Sequence, residues 1–186
     1  MKILNLKKAK KVIERVILKK IKHSDNNIAL SADFYLDNKL MGTFCDDGVG
    51  GDPKITFKTK EHQEKFENFL KENEFSKLML QCEWKSMKDF NKISMYYQIE
   101  QIILLSYELN ILGQEERKLE RLCENGIYYS TDSGYKGIEF RIPLKQIVLK
   151  ENGKQFLQKH YDAIKSSLKK NEYIVNKNLK KIGVVS

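Results

Sequence analysis

Three carboxylates, Asp46, Asp47 and Asp52, stand among three glycines, Gly48, Gly50 and Gly51, in the stretch running from Leu36 to Phe57. Glycine reaches φ > 0 with no Cβ clash, so the backbone can bend sharply there. Pro53 then fixes its own φ and holds Asp52 toward extended geometry. Oxygen ligands on a bent backbone are what a hard cation such as Ca²⁺ or Mg²⁺ takes. The loop lacks the spacing and the terminal Glu of an EF-hand, and it has no GK[ST] for cradling a phosphate, which three negative charges would repel. The solvated-turn reading is therefore preferred and no metal site is assigned. Nucleophilic chemistry is worse served. Carboxylates beside Cys45 oppose its thiolate, the wrong setting for a nucleophile. GxSxG, HExxH and HxH patterns are absent from the sequence, and its three histidines are isolated. No catalytic residue and no cofactor are assigned.

Charge is the second signal. The net formal charge of +9 is segregated. Residues 1–23 carry 9 Lys/Arg against 1 acid, and residues 141–186 carry 11 against 3, while the stretch between them is net acidic. If the two basic ends meet in the fold, they present one cationic surface to a polyanion. Lys outnumbers Arg by 30 to 4, so phosphate contacts would be point charges, poor in bidentate base readout. Cys45, Cys82 and Cys123 are odd in number, widely spaced and without a CxxC pair, which suits reduced thiols in a cytoplasm. No apolar run is long enough to span a bilayer and no signal-peptide pattern opens the chain.

Elements must position these residues. The spacing of Ala9, Val12, Ile13, Val16, Ile17 and Ile21 predicts a basic helix over 5–22, capped by Asn5. Its β-branched residues keep a strand open as an alternative. Lys7, Lys8, Lys11, Arg15, Lys19 and Lys22 then lie mostly off the apolar face. Alternation from Ile28 to Leu36 predicts a strand, Asp37-Asn38 a two-residue hairpin turn, and Lys39–Cys45 and Lys54–Lys58 its partners. Thr59 caps a helix over 60–73 with Phe66, Phe69 and Leu70 inward and His62 at the edge of the stripe. Lys77–Trp84 reads as a fourth strand. Ser86, with Asp89 near the positive end of the dipole, opens the longest helix. Gly113 ends that helix and Gln114–Asn125 follows as a separate one. Ile127–Thr131 and Gly137–Ile142 read as a second hairpin, and residues 144–150 are ambiguous. A helix from about 152 to Lys170 turns Phe156, Leu157, His160, Tyr161, Ile164 and Leu168 to the core. Tyr173–Val175 is a candidate last strand, and 178–186 a fraying basic tail.

The second hairpin offers another binding surface. Tyr129 and Tyr135 beside Lys136 and Arg141 could stack bases next to cations, with Lys169 and Lys170 further along the basic end. The more common fate of such tyrosines is to face the core with their hydroxyls at its edge. The hairpin DNKLMG followed by DDGVGG resembles a pattern in small uncharacterised proteins of bacteriophages and mobile elements of low-GC bacteria, over residues 33–57. The resemblance implies a mobile-element origin and carries over no catalytic residue.

The expected fold is α+β, a single domain over 1–186 with sub-lobes 1–85 and 86–186 as its natural division. It has antiparallel sheets, a central helical pair and basic terminal helices. The expected function is a non-enzymatic, cytoplasmic, phage-type accessory or inhibitor protein acting on nucleic acid or a host nucleoprotein, with no membrane association. The rival reading is a metal-dependent phosphodiester enzyme using Asp46, Asp47 and Asp52. A third is a self-associating protein that dimerises through its apolar central helix.

Overall fold

The computed structural model describes residues 7–24, 29–82 and 93–185. Asn5, Trp84, Ser86 and Asp89, to which the sequence assigned roles, lie outside the described residues. The fold is α+β. It divides into two units, Met1–Leu112 and Gly113–Ser186, with the division inside a long helix.

The first unit is built on a four-stranded antiparallel meander in the order β1 (Val16–His23), β2 (Leu30–Leu36), β3 (Lys39–Asp46) and β4 (Lys54–Phe57). Asp37 and Asn38 form the predicted hairpin turn, both at positive φ (49° and 66°), which matches the twist of the strands they join. Alternation sends Leu30, Ala32, Phe34 and Leu36 into the core. There Phe34, Phe57 and Phe66 meet edge to face. The helices α1 (Lys7–Ile13), α2 (Lys60–Glu72), α3 (Phe75–Cys82) and the first part of α4 (Met95–Asn125) supply the rest of this core. Thr59 caps α2 as expected, accepting the His62 N–H at 3.3 Å, while the His62 ring nitrogen lies 2.7 Å from the same hydroxyl.

Three expectations fail here. The basic helix stops at Ile13, and Val16–His23 is a strand. The β-branched Val16 and Ile17 prefer an extended backbone, and the edge of β2 pairs with them. Phe75–Cys82 is a helix where a strand was expected. Its Phe75, Leu78 and Met79 are buried at the three-to-four spacing of one helical face, built from good helix formers. Finally, α4 runs unbroken through Gly113. A glycine in a helix costs only about 1 kcal/mol, and the Gln114–Lys118 run after it is strongly helix-favouring.

In the second unit α4 ends at Asn125 and leads directly into the hairpin β5 (Gly126–Thr131) and β6 (Gly134–Glu139), whose turn is the tight pair Asp132-Ser133. The ambiguous stretch forms α5 (Leu144–Val148), followed by α6 (Gly153–Ser167) and α7 (Asn178–Lys181). The segment at Tyr173–Val175 makes a single bridge to β5, through Ser130 N–H to Tyr173 O (2.9 Å) and Val175 N–H to Tyr128 O (3.0 Å). Leu179 and Val184 are buried with Ile127, Leu144 and Leu157, so residues 178–185 are docked rather than frayed. Leu157 and Ile164 of α6 face this core as expected, but Phe156 does not. It is half exposed, with ring contacts to Phe140 (5.7 Å) and His160 (4.6 Å).

Candidate nucleic-acid interface

One extra residue shapes the site. Between Lys19, opposite Asp33, and Lys22, opposite Ser31, β1 has one residue more than β2. This is a β-bulge. Lys20 takes φ 52° at this point, a left-handed conformation rare for a residue with a side chain. Leu18 points inward, Lys19 and Lys20 both point outward, and Ile21 returns to the core. The bulge therefore places Lys19, Lys20 and Lys22 on one face, the face away from the core. A regular strand would have turned Lys20 or its neighbours inward.

Cross-strand pairing extends this face in two rows. One runs Lys22–Ser31–Cys45–Lys54 and the next Lys19–Asp33–Thr43–Thr56. The three lysines of β1, with Thr43, Cys45, Lys54 and Thr56, are exposed. Ser31, Asp33 and Tyr35 form a half-buried floor along β2. A depression of about 230 Å³ lies over this surface, lined among others by Lys20, Lys22, Ser31, Asp33, Thr43 and Cys45. Four ammonium groups face one carboxylate here. Lys20 bonds to Asp33 at 2.8 Å, which raises the lysine pKa through the hydrogen bond first and the charge second. The Lys19 ammonium sits 4.6 Å from the centre of the Tyr35 ring.

The remaining assigned cations are placed differently. Lys7, Lys8 and Lys11 are exposed on α1, whose Ala9, Val12 and Ile13 join the core beneath the sheet. They belong to the helical layer, not to the outer sheet face. Arg15 is committed to structure. Its Nε and Nη2 donate to the two carboxylate oxygens of Asp37 at 2.8 and 2.6 Å, its carbonyl accepts the Asp37 N–H, and its guanidinium lies 4.7 Å from the Phe69 ring centre. In the second unit Tyr129 pairs with Lys136 across the hairpin, while Tyr135 pairs with Ser130 and so stands on the opposite face. Arg141 lies in the bend after β6, and Lys169 and Lys170 in the turn after α6. The two basic ends thus belong to different units. The sequence reading missed Lys20 and Lys54. Pairing Lys54 with Cys45 across the predicted hairpin could have found the latter, but nothing local announces the bulge.

The acidic loop uses its carboxylates on itself. Asp46 Oδ1 accepts the Gly48 N–H at 2.9 Å and Asp47 Oδ1 accepts the Val49 N–H at 3.0 Å, with Gly48 and Gly50 at φ 73° and 90°. Tyr96 of α4 donates its hydroxyl to the Pro53 carbonyl. One turn on, Glu100 has its carboxyl pKa raised, first by burial and then by Asp52 and Asp46. Among the described residues no group of three or more His, Cys, Asp or Glu side chains is gathered to hold a metal ion.

A second concavity, about 490 Å³, lies in the second unit between α4 and the 175–182 segment. Glu116, Glu120 and Glu124 on one wall face Lys145, Lys177 and Lys181 on the other, and Lys177 closes onto Glu116 at 3.0 Å. Its charges offset one another, whereas those of the sheet face do not. Burial, and secondarily Glu120, raise the pKa of the Cys123 thiol in its wall. Among the described residues no helix is long and apolar enough to cross a membrane. No protein-family model matches the chain, and searches of the curated proteins and of the solved structures give no match either.

Proposed function

We propose that this is a non-enzymatic binding protein that takes a nucleic acid on the outer face of its four-stranded sheet. The observation that carries the reading is the bulge-built row of lysines on an exposed sheet face on which Asp33, the one carboxylate among the described residues of its two rows, is already paired. Cations held this way attract phosphates by releasing counterions, which provides affinity with little sequence preference. The lysines of α1 would add to the long-range field without touching the same stretch of ligand. In this reading the protein is a cytoplasmic accessory or inhibitor of the kind mobile elements carry, acting on nucleic acid or on a nucleoprotein through its exposed nucleic acid.

Cys45 lies within the proposed footprint and reports on it. Alkylation of Cys45, followed by peptide mass mapping, is expected to slow several-fold when a short single-stranded oligonucleotide is added at low salt. Nucleic acid that binds while Cys45 reacts at its original rate would place the site elsewhere. Failure of any nucleic acid to bind would remove the reading altogether.

A further inference from the structure

We propose that the ligand of the outer sheet face is single-stranded nucleic acid, with a base stacked on Tyr35 and its exocyclic amine held by Asp33. This rests on the nucleic-acid reading above and narrows it. Width is the first argument. Four strands at about 4.8 Å spacing make a face of roughly 19 Å. The major groove of B-DNA, at about 12 Å, admits a helix or a two-stranded ribbon but not such a sheet. A duplex could therefore only touch the face with its outer phosphates.

A single strand fits the layout instead. Its cations stand on the two outer strands, Lys19, Lys20 and Lys22 on β1 and Lys54 on β4. Between them lie the short side chains Ser31, Thr43 and Cys45, which leave an open floor. A strand crossing this floor would meet lysines at both margins and hydroxyls beneath. Tyr35 is an aromatic of the face, and its ring is already occupied by the Lys19 ammonium at 4.6 Å. An incoming base replaces that contact with stacking and frees the ammonium for the adjacent phosphate.

Asp33 and Tyr35 are two residues apart on β2 and share this face, about 7 Å from one another. The Asp33 side chain is only 16% exposed and spends one oxygen on Lys20. Its remaining lone pairs can accept from the N4 amine of cytosine, which carries two N–H donors at the edge of the base. Thymine has the acceptor O4 there, which a carboxylate repels, and its one N3–H is recessed between two carbonyls. A floor carboxylate thus disfavours thymine and favours bases bearing an amine.

Fluorescence anisotropy with labelled oligo(dC), oligo(dT) and a mixed-sequence duplex tests this. Single strands should bind at least tenfold tighter than the duplex, and oligo(dC) tighter than oligo(dT). Tyr35→Ala should weaken single-strand binding about five- to hundredfold, the range that one stacked base supplies, while Tyr35→Phe retains it. Asp33→Ala should erase the oligo(dC) preference. Thermal melting of each variant confirms that it is folded. Equal affinity for duplex and single strand, or an unaffected Tyr35→Ala, overturns the single-strand inference. If Lys19→Gln/Lys22→Gln/Lys54→Gln still weakens binding in that case, the broader reading survives. Equal affinity of the wild type for oligo(dC) and oligo(dT) overturns the role of Asp33. Absence of binding to any of the three probes overturns both proposals.

Discussion

Arg15 shows how a cation can look like a ligand contact and belong to the fold. It bridges the end of α1 to the β2–β3 turn through two bonds to Asp37 and lies over Phe69. Both side chains are about half exposed, so solvent screens the pair and its worth is at most about 1 kcal/mol. Arg15→Ala should lower stability in urea by roughly that amount and leave nucleic-acid affinity nearly unchanged, unlike Lys22→Gln. Two of the perturbed carboxylates, Asp37 and Glu100, titrate with opposite signs. Hydrogen bonding from Arg15 holds the Asp37 pKa below its ordinary value of 3.8. Its stabilisation is therefore complete above that pH and is lost as pH falls through the depressed folded value. Burial, then Asp52 and Asp46, hold the Glu100 pKa above its ordinary value of 4.5. The folded state binds that proton more tightly, so ionised Glu100 detracts from stability at neutral pH and the penalty disappears as pH falls below 4.5. Glu100→Gln should raise the melting temperature at pH 7, and the gain should vanish by about pH 4.

At the scale of elements, what neighbours in sequence decide was legible and what distant residues decide was not. The Asp37-Asn38 turn, the Thr59 cap and the alternation of β2 are local, and each stands where the residues put it. The bulge in β1 depends on its register against β2, which no local pattern encodes. The end of α4 is likewise set from far away. Asn176 and Asn178 donate to the Cys123 carbonyl, Asn176 donates to the Gly126 carbonyl at 2.8 Å, and the Asn176 Oδ1 accepts the Tyr128 N–H at 2.6 Å. One side chain thus joins a helix end to a strand start some 50 residues earlier. Asn176→Ala should cost about 1–3 kcal/mol, because partners inside the fold lose their bonds. Two glycines were passed over for a related reason. A Cβ on Gly42 would lie 2.1 Å from the Thr56 carbonyl oxygen, and one on Gly137 would meet the Ile127 carbonyl oxygen at 2.2 Å. Both obstacles are backbone. Gly42→Ala should therefore force β3 and β4 apart and destabilise by about 1–3 kcal/mol or more, read from the urea midpoint. Deleting Lys20 removes the bulge but leaves Ile21 opposite Ala32 and Lys22 opposite Ser31, so Ile21 stays inward and Lys19 and Lys22 stay outward. The variant should stay folded and lose only the share of nucleic-acid affinity that one cation supplies, read from its urea midpoint and its binding curve.

For the molecule as a whole, segregated charge was visible in the sequence, but its placement was not. The N-terminal lysines divide between the helical layer and the outer sheet face, because α1 stops at Ile13 and β1 begins at Val16. The C-terminal lysines belong to the second unit, and some are balanced by the carboxylates of α4. The cationic surface that the proposal needs is thus smaller than the net charge of +9 suggests, and it is built by strand pairing within the first unit. The account rests on that surface meeting phosphate. Its most direct test is the salt dependence of binding to a single-stranded oligonucleotide, for the wild type and for the Lys19→Gln/Lys22→Gln/Lys54→Gln variant. The logarithm of the association constant should fall linearly with the logarithm of salt concentration, by about 0.7 per phosphate contacted, and the variant should reduce the slope by about 2. A wild-type affinity indifferent to salt, or a variant with the same slope as the wild type, would contradict it.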